Sequence, residues 1–238
     1  MYPVTYEADY LKERNRWTTF FRLIVAIPWM IVGIFYAIAA TVVVVIAWFA
    51  LLILGRYPLG MYNFVGGVLR FSMRVNGFVS LQTDAWPPFG IGEDPAYPVR
   101  IRFNQPAARQ SRLKTLFRLI LVIPLFFVYG AMSSILSAVS MVSWMAIVFR
   151  GYQPAAIHNA MAYTIGWETR FSAYAQLMRD EYPPVGDEIP VVVDPPAATE
   201  AIASEEPEPA SLDPGASTAQ ESPAGGEESP PPPPAATG

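Results

Sequence analysis

The side chains in this chain that could do chemistry are few, and most of them are arginine. Arg22 and Arg118 stand 96 positions apart, each near the start of a long apolar run. Asp84 and Asp180 recur at the same interval, as do Arg74 and Arg170. Arg70 has no counterpart, because Gly166 takes its place, and Glu168 adds a carboxylate to the second copy. An arginine at a membrane boundary can reach up to the headgroups and anchor its helix. It can also hold a lipid phosphate bidentately, or pair with Asp84 or Asp180. Two carboxylates brought together by internal symmetry could bind a cation or act as an acid–base pair. Helix capping and ion pairing with Arg74 and Arg170 are the plainer outcome. Arg22, Arg118, Arg70, Arg74, Arg170, Asp84 and Asp180 are therefore the candidate residues, for anionic lipid or for structural ion pairs.

The rest of the inventory excludes more than it offers. There is no cysteine, which removes disulfides, thiolate metal sites and cysteine nucleophiles. His158 is the only histidine, so a multi-histidine metal centre has no ligands; its neighbour Asn159 suggests ordinary surface solvation. Gly66-Gly67 precedes no lysine in the manner of a phosphate-binding loop. No catalytic residue, metal or cofactor is expected. Charge is divided sharply along the chain. Residues 1–186 hold all 16 Lys and Arg against nine acids, whereas residues 187–238 hold 11 acids and no base. A body of net charge +7 beside so much apolar sequence suits anionic lipid rather than nucleic acid.

The elements that must position these groups come in two copies. Phe20–Gly55 is an apolar block whose only charge is Arg22, and the chain repeats it 96 residues later, with Pro28 returning as Pro124, Trp48 as Trp144 and Gly55 as Gly151. Water cannot solvate so much continuous apolar surface, which implies an integral membrane protein. The start of the chain could pass for a signal peptide, with Arg14 and Arg16 ahead of the run and Ala37-Ile38-Ala39 within it. The run continues past that point, however, and its second copy lies mid-chain, which argues against cleavage.

A single helix over such a block would be roughly 50 Å long, against a hydrocarbon core of about 30 Å. Basic residues flank both ends of each block and none lies between, so a hairpin of two spans with both ends cytoplasmic satisfies the positive-inside tendency in both copies. Four spans in two hairpins is the expectation; two long helices is the alternative. Gly33, Ala37 and Thr41, and likewise Ser133, Ser137 and Ser140, would share helix faces suited to close packing.

Each copy opens with an alternating extended arm, at residues 2–9 and 97–104. Glu7 and Asp9 on one arm and Arg100 and Arg102 on the other would suit pairing into a small ribbon; two independent arms are the alternative. After Pro58 and Pro154 comes a third segment, over 61–84 and 157–180, which reads as an amphipathic interfacial helix with Arg70 and Arg74 reaching phosphates. Each copy ends in Asp-X-aromatic-Pro-Pro, at Asp84–Pro88 and Asp180–Pro184. Residues 187–238, rich in Pro, Glu, Ala, Ser and Gly, are expected to be a disordered acidic tail.

The run Arg22-Leu23-Ile24-Val25-Ala26-Ile27-Pro28, the Trp48 segment ending Gly55-Arg56-Tyr57-Pro58, the Arg70/Arg74 segment and the closing Asp84–Phe89 resemble an uncharacterised family of bacterial integral membrane proteins, a domain of unknown function common in actinobacteria. The resemblance covers residues 1–90 well and 97–186 more loosely, since Arg150-Gly151-Tyr152-Gln153-Pro154 departs from the Gly-Arg-Tyr-Pro element. It implies membrane placement and bacterial origin, and carries over no catalytic residue. The fold expected is an all-α integral membrane protein of two tandem repeats, 1–90 and 91–186, each a transmembrane hairpin plus an interfacial helix and an extended arm. The location expected is the bacterial inner membrane, multi-pass, with N- and C-termini cytoplasmic. The leading functional expectation is a non-enzymatic accessory or scaffold subunit with protein partners in a membrane complex; a small transporter or lipid-handling protein is the alternative.

Overall fold

Among the described residues, seven elements follow one another in the order β1 (Val4–Ala8), α1 (Arg16–Val25), α2 (Ile27–Leu54), α3 (Leu59–Val79), β2 (Val99–Phe103), α4 (Arg112–Arg150) and α5 (Ala155–Ala175). The computed structural model describes residues 2–104 and 109–186. The acidic tail expected over 187–238 lies outside the described residues.

Neither apolar block folds back in its middle, which corrects the hairpin expectation. α2 runs 28 residues and α4 runs 39, without a turn at Gly33–Thr41 or Gly130–Ser137. The hydroxyls in those stretches bond back to their own helix: Thr41 to the Ala37 carbonyl (2.8 Å), Ser134 to Gly130 (2.8 Å) and Ser137 to Ser133 (2.9 Å). With its polar groups satisfied in this way, the segment has nothing to drive it into a loop. The one break falls at Ala26, beside Pro28, whose ring removes an amide donor from the first long helix. In the second copy Pro124 sits inside an unbroken α4. Both copies start at a capping side chain, Asn15 or Ser111, and stop at a left-handed glycine, Gly55 (φ 68°) or Gly151 (φ 80°).

The arms do pair. β1 and β2 form an antiparallel ribbon with Tyr6 opposite Ile101 and Glu7 opposite Arg100, so the fold is mostly helical rather than purely so. Arg100 donates to Asp9 twice, at 2.6 and 2.9 Å. The copies are interlocked, because β1 packs on α5 and β2 packs on α3. Backbone bonds repeat the exchange at each helix end. The Arg14 amide donates to the Gly151 carbonyl (3.1 Å), and the Gln110 amide donates to Gly55 (3.0 Å).

Three layers result: the ribbon, then α3 beside α5, then the long helices, which touch α3, α5 and each other. The two long helices run in opposite directions. Phe20 on α1, just ahead of α2, meets Trp144 on α4 (ring centroids 6.3 Å apart), and the Trp48 indole of α2 donates to the Thr115 carbonyl of α4 (3.1 Å). A pseudo-twofold axis therefore passes through the ribbon and between the helices of each layer.

α3 and α5 are not interfacial helices, which is a second correction. They form the middle of the body: Val65–Leu69 and Ile165–Phe171 are buried around the full helix circumference. Tertiary contacts with the ribbon on one side and the long helices on the other account for this. The expected packing faces are mostly outward as well. Ala37, Thr41 and Ser137 are exposed, and of the first set Gly33 approaches a neighbouring element, at Phe71.

Gly67 shows how tight the middle layer is. A Cβ there would lie 2.8 Å from the Ile91 carbonyl oxygen and 3.0 Å from its Cβ. Gly67→Ala is expected to cost about 1–3 kcal/mol, because backbone must move and the gain in helix propensity is only about 1 kcal/mol. Gly60, on the same helix with nothing within 4 Å of a Cβ, should instead gain roughly 0.5–1 kcal/mol as alanine. Thermal unfolding of the two variants in mild detergent reads the difference in sign.

Candidate functional site

Arg22 and Arg118 each clamp the end of a middle-layer helix onto a long helix. Both are 2% exposed. Arg22 Nη1 donates to the Phe78 (2.6 Å) and Thr83 (2.9 Å) carbonyls, and Nη2 pairs with Asp84. Arg118 repeats the pattern with the carbonyls of Tyr174 (2.7 Å) and Arg179 (2.5 Å) and with Asp180 (2.7 Å). The guanidiniums also lie over aromatic rings, Phe78 at 4.6 Å and Tyr174 at 4.3 Å. The second oxygen of each aspartate accepts from the backbone amide at a long-helix start, Asn15 for Asp84 (3.1 Å) and Ser111 for Asp180 (2.7 Å). Asp84 and Asp180 thus serve two separate junctions, Asp180 with Arg118, and Asp84 with Arg22 and, at 3.7 Å, Arg14 as well.

What these clamps hold is strained. Leu81 (φ 68°) and Leu177 (φ 64°) adopt the left-handed conformation, which costs a non-glycine residue roughly 1–2 kcal/mol. The turn closes through Gln82 N–H to the Gly77 carbonyl (2.8 Å), and through Met178 N–H to Ala173 (3.0 Å). Both leucine side chains are buried, and the arginine binds carbonyls on either side of the turn.

The other candidates go to different places. Arg70 pairs with Glu93 (2.5 Å) and donates to the Ile101 carbonyl (3.3 Å), lying 5.0 Å over the Phe103 ring. Arg74 is buried at 5.8 Å over Tyr97, and Arg170 is buried at 5.3 Å over Tyr2. Neither α3 arginine extends from a free helix surface toward phosphates.

Two apolar clefts of about 300 Å³ adjoin the junctions at pseudo-symmetric places. One lies between α1 and α4, with Arg22, Leu23, Ser137, Ser140 and Trp144 in its walls. The other lies between α2 and α4, with Val45, Trp48, Arg118 and Leu119. The first is lined partly by hydroxyls and the second almost wholly by hydrocarbon.

The symmetry breaks most sharply in a buried polar knot at one end of the body. Arg14 Nη2 donates to the Gln82 carbonyl (2.8 Å) and to Gln153 Oε1 (2.9 Å). The Gln153 amide in turn donates to the Leu81 carbonyl (3.0 Å) and Ser143 Oγ (2.8 Å). His158, expected at the surface, is completely buried, because β1 of the other copy lies across the start of α5. The Gln82 side-chain amide nitrogen lies 3.0 Å from its Nδ1 and 2.9 Å from its Nε2, and Nε2 also lies 3.3 Å from the Ala8 carbonyl. Burial, reinforced by Arg14, pushes the imidazole pKa down to about 4. At the pseudo-symmetric positions stand Gln110, Met178, Tyr57 and Tyr62, and the equivalent space is filled by packed tyrosines. These substitutions between copies were the available signal for the knot.

Glu168 is a second buried group. It accepts from Asn76 (3.1 Å), and burial pushes its carboxyl pKa up. Among the described residues no group of three or more His, Cys, Asp or Glu is placed to hold a metal ion. The described polar interior is thus occupied with joining elements.

A family model described as domain of unknown function DUF4389 matches residues 16–90 and again residues 112–185. No curated protein and no solved structure matches the chain.

Proposed function

This chain belongs to the DUF4389 family, as two tandem copies, and from that premise we propose that it is a non-enzymatic membrane protein of the bacterial inner membrane, an accessory or scaffold subunit that holds partners at the bilayer. The observation that carries the reading is the apolar surface of the long helices. α2 and α4 are long and apolar enough to cross a membrane. Phe127 is 78% exposed, Leu119 75% and Ile38 59%, which water would penalise and lipid would not. Interior arginines spent on helix ends and rings support a rigid framework over a reaction centre. A body of net charge +7 supports contact with anionic lipid, and the 11 acids of residues 187–238 supply charge complementary to a basic partner. Tyr2 donates to the Glu181 carbonyl (3.0 Å), so the two ends of the body lie side by side, which supports termini in one compartment, the cytoplasm.

Affinity purification of the full chain in mild detergent tests the reading. A partner recovered in stoichiometric amount is the expected result. A clean monomer that retains nothing overturns the scaffold role. The paired clefts favour lipid handling as the second reading, and a specific lipid found by mass spectrometry in the purified protein, in place of any protein partner, would select it.

A further inference from the structure

Charge in this fold is sorted by layer. The ribbon carries Glu7, Asp9, Arg100 and Arg102 at its outer side, and the Arg102 side chain is 70% exposed. On the far side of α3 and α5, the long helices hold no charged residue between Arg22 and Arg56 or between Arg118 and Arg150. Exposed cations return at both ends of the antiparallel pair. Lys12, Arg16 and Arg150 mark one end, where the Gln153 amide bonds the Lys12 carbonyl (3.0 Å). Arg56, Arg112 and Lys114 mark the other, where Arg112 donates to the Ile53 carbonyl (3.0 Å).

This arrangement bears on how the body can sit in lipid. α2 alone is about 42 Å long, well beyond a hydrocarbon core of about 30 Å. If the long helices crossed the bilayer, the pseudo-twofold axis would lie in the membrane plane. The ribbon straddles that axis, so Arg102 and Glu7 would sit at the depth of the bilayer centre, the most costly position for a charge. The two cationic ends would also face opposite compartments. Laying the long helices along the membrane removes both conflicts. The ribbon then faces water and both cationic ends reach headgroups on one side, as the positive-inside tendency favours. The apolar layer faces the acyl chains.

We propose that the protein embeds from one side, with α1–α2 and α4 lying along a single lipid leaflet while the ribbon and both cationic helix ends face the same aqueous compartment. The proposal rests on the membrane reading above and replaces a spanning arrangement with a one-sided one. The occupant of the apolar face is the leaflet itself, chosen because the charges surround that face and are absent from it.

The chain has no native thiol, so single cysteines report cleanly. Lys12→Cys and Arg56→Cys place exposed thiols at the two ends, and Phe127→Cys places one in the middle of the apolar layer. The full chain in native membranes is treated with a membrane-impermeant maleimide, once in spheroplasts and once in inverted vesicles. The expected result is that Lys12→Cys and Arg56→Cys react from the same side alone, and Phe127→Cys from neither. Reaction of Lys12→Cys and Arg56→Cys from opposite sides overturns one-sided embedding and leaves the membrane reading standing. Release of the unmodified protein into the supernatant by alkaline carbonate overturns the membrane reading itself, and the proposal with it.

Discussion

Arg22→Leu is expected to remove about 3–5 kcal/mol of stability, the scale for breaking a buried ion pair from one side. The loss has three parts. Asp84 loses its nearer guanidinium and keeps only Arg14 at 3.7 Å, the Phe78 and Thr83 carbonyls lose their donor, and the left-handed Leu81 turn loses the group that bridges it. Arg118→Leu should cost at least as much, because its partners are the same atoms one repeat later and Gln110 stands where Arg14 gives Asp84 a second cation. Arg22→Leu combined with Asp84→Leu should recover only part of the loss, since the two carbonyls remain unpaired. Arg150, exposed at the end of α4, provides the control and should change stability by no more than about 0.5 kcal/mol as leucine. Thermal unfolding in mild detergent is the measurement. If Arg22→Leu and Arg150→Leu unfold at the same temperature, the clamp is not what holds α3 to the long helix.

Much of this junction was legible in the chain. Arg22 and Asp84 recur together at one fixed interval as Arg118 and Asp180, and the opposed charges on the arms suited the pairing seen between Glu7 and Arg100. The path of the apolar blocks was not legible. Length and the lack of charge are the same for a hairpin and for a continuous helix, and only backbone geometry separates them. The burial of α3 and α5 was hidden for a different reason. Arg70 and Arg74 marked a polar face, but that face is covered by the ribbon and by the 84–98 segment, through contacts distant in sequence. His158 was hidden in the same way, since Asn159 beside it says nothing about β1, which arrives from 150 residues away.

Acid should unfold the protein through that same histidine. Its pKa falls from 6.5 to about 4 on folding, so the unfolded chain binds a proton across this window and the folded chain does not. The sign follows from linkage: the contribution is complete above pH 6.5 and is lost as pH falls toward 4, by about 3 kcal/mol in all. The groups facing the imidazole account for the direction. Burial away from water disfavours the charged ring most, and Arg14 opposes a second positive charge, while the Ala8 carbonyl and Asp9 pull the other way without reversing the shift. Glu168 works the other way, because its raised pKa makes the folded state lose stability as pH rises above the ordinary carboxyl range. The wild-type profile therefore sums both, and His158→Gln separates them. That variant keeps hydrogen-bonding capacity without the titration, so its stability difference from wild type should change by about 3 kcal/mol between pH 7.5 and pH 4. A difference that stays constant over that interval would show that the ring titrates alike in the folded and unfolded chain, and that the knot around Gln82 and Gln153 is open to water.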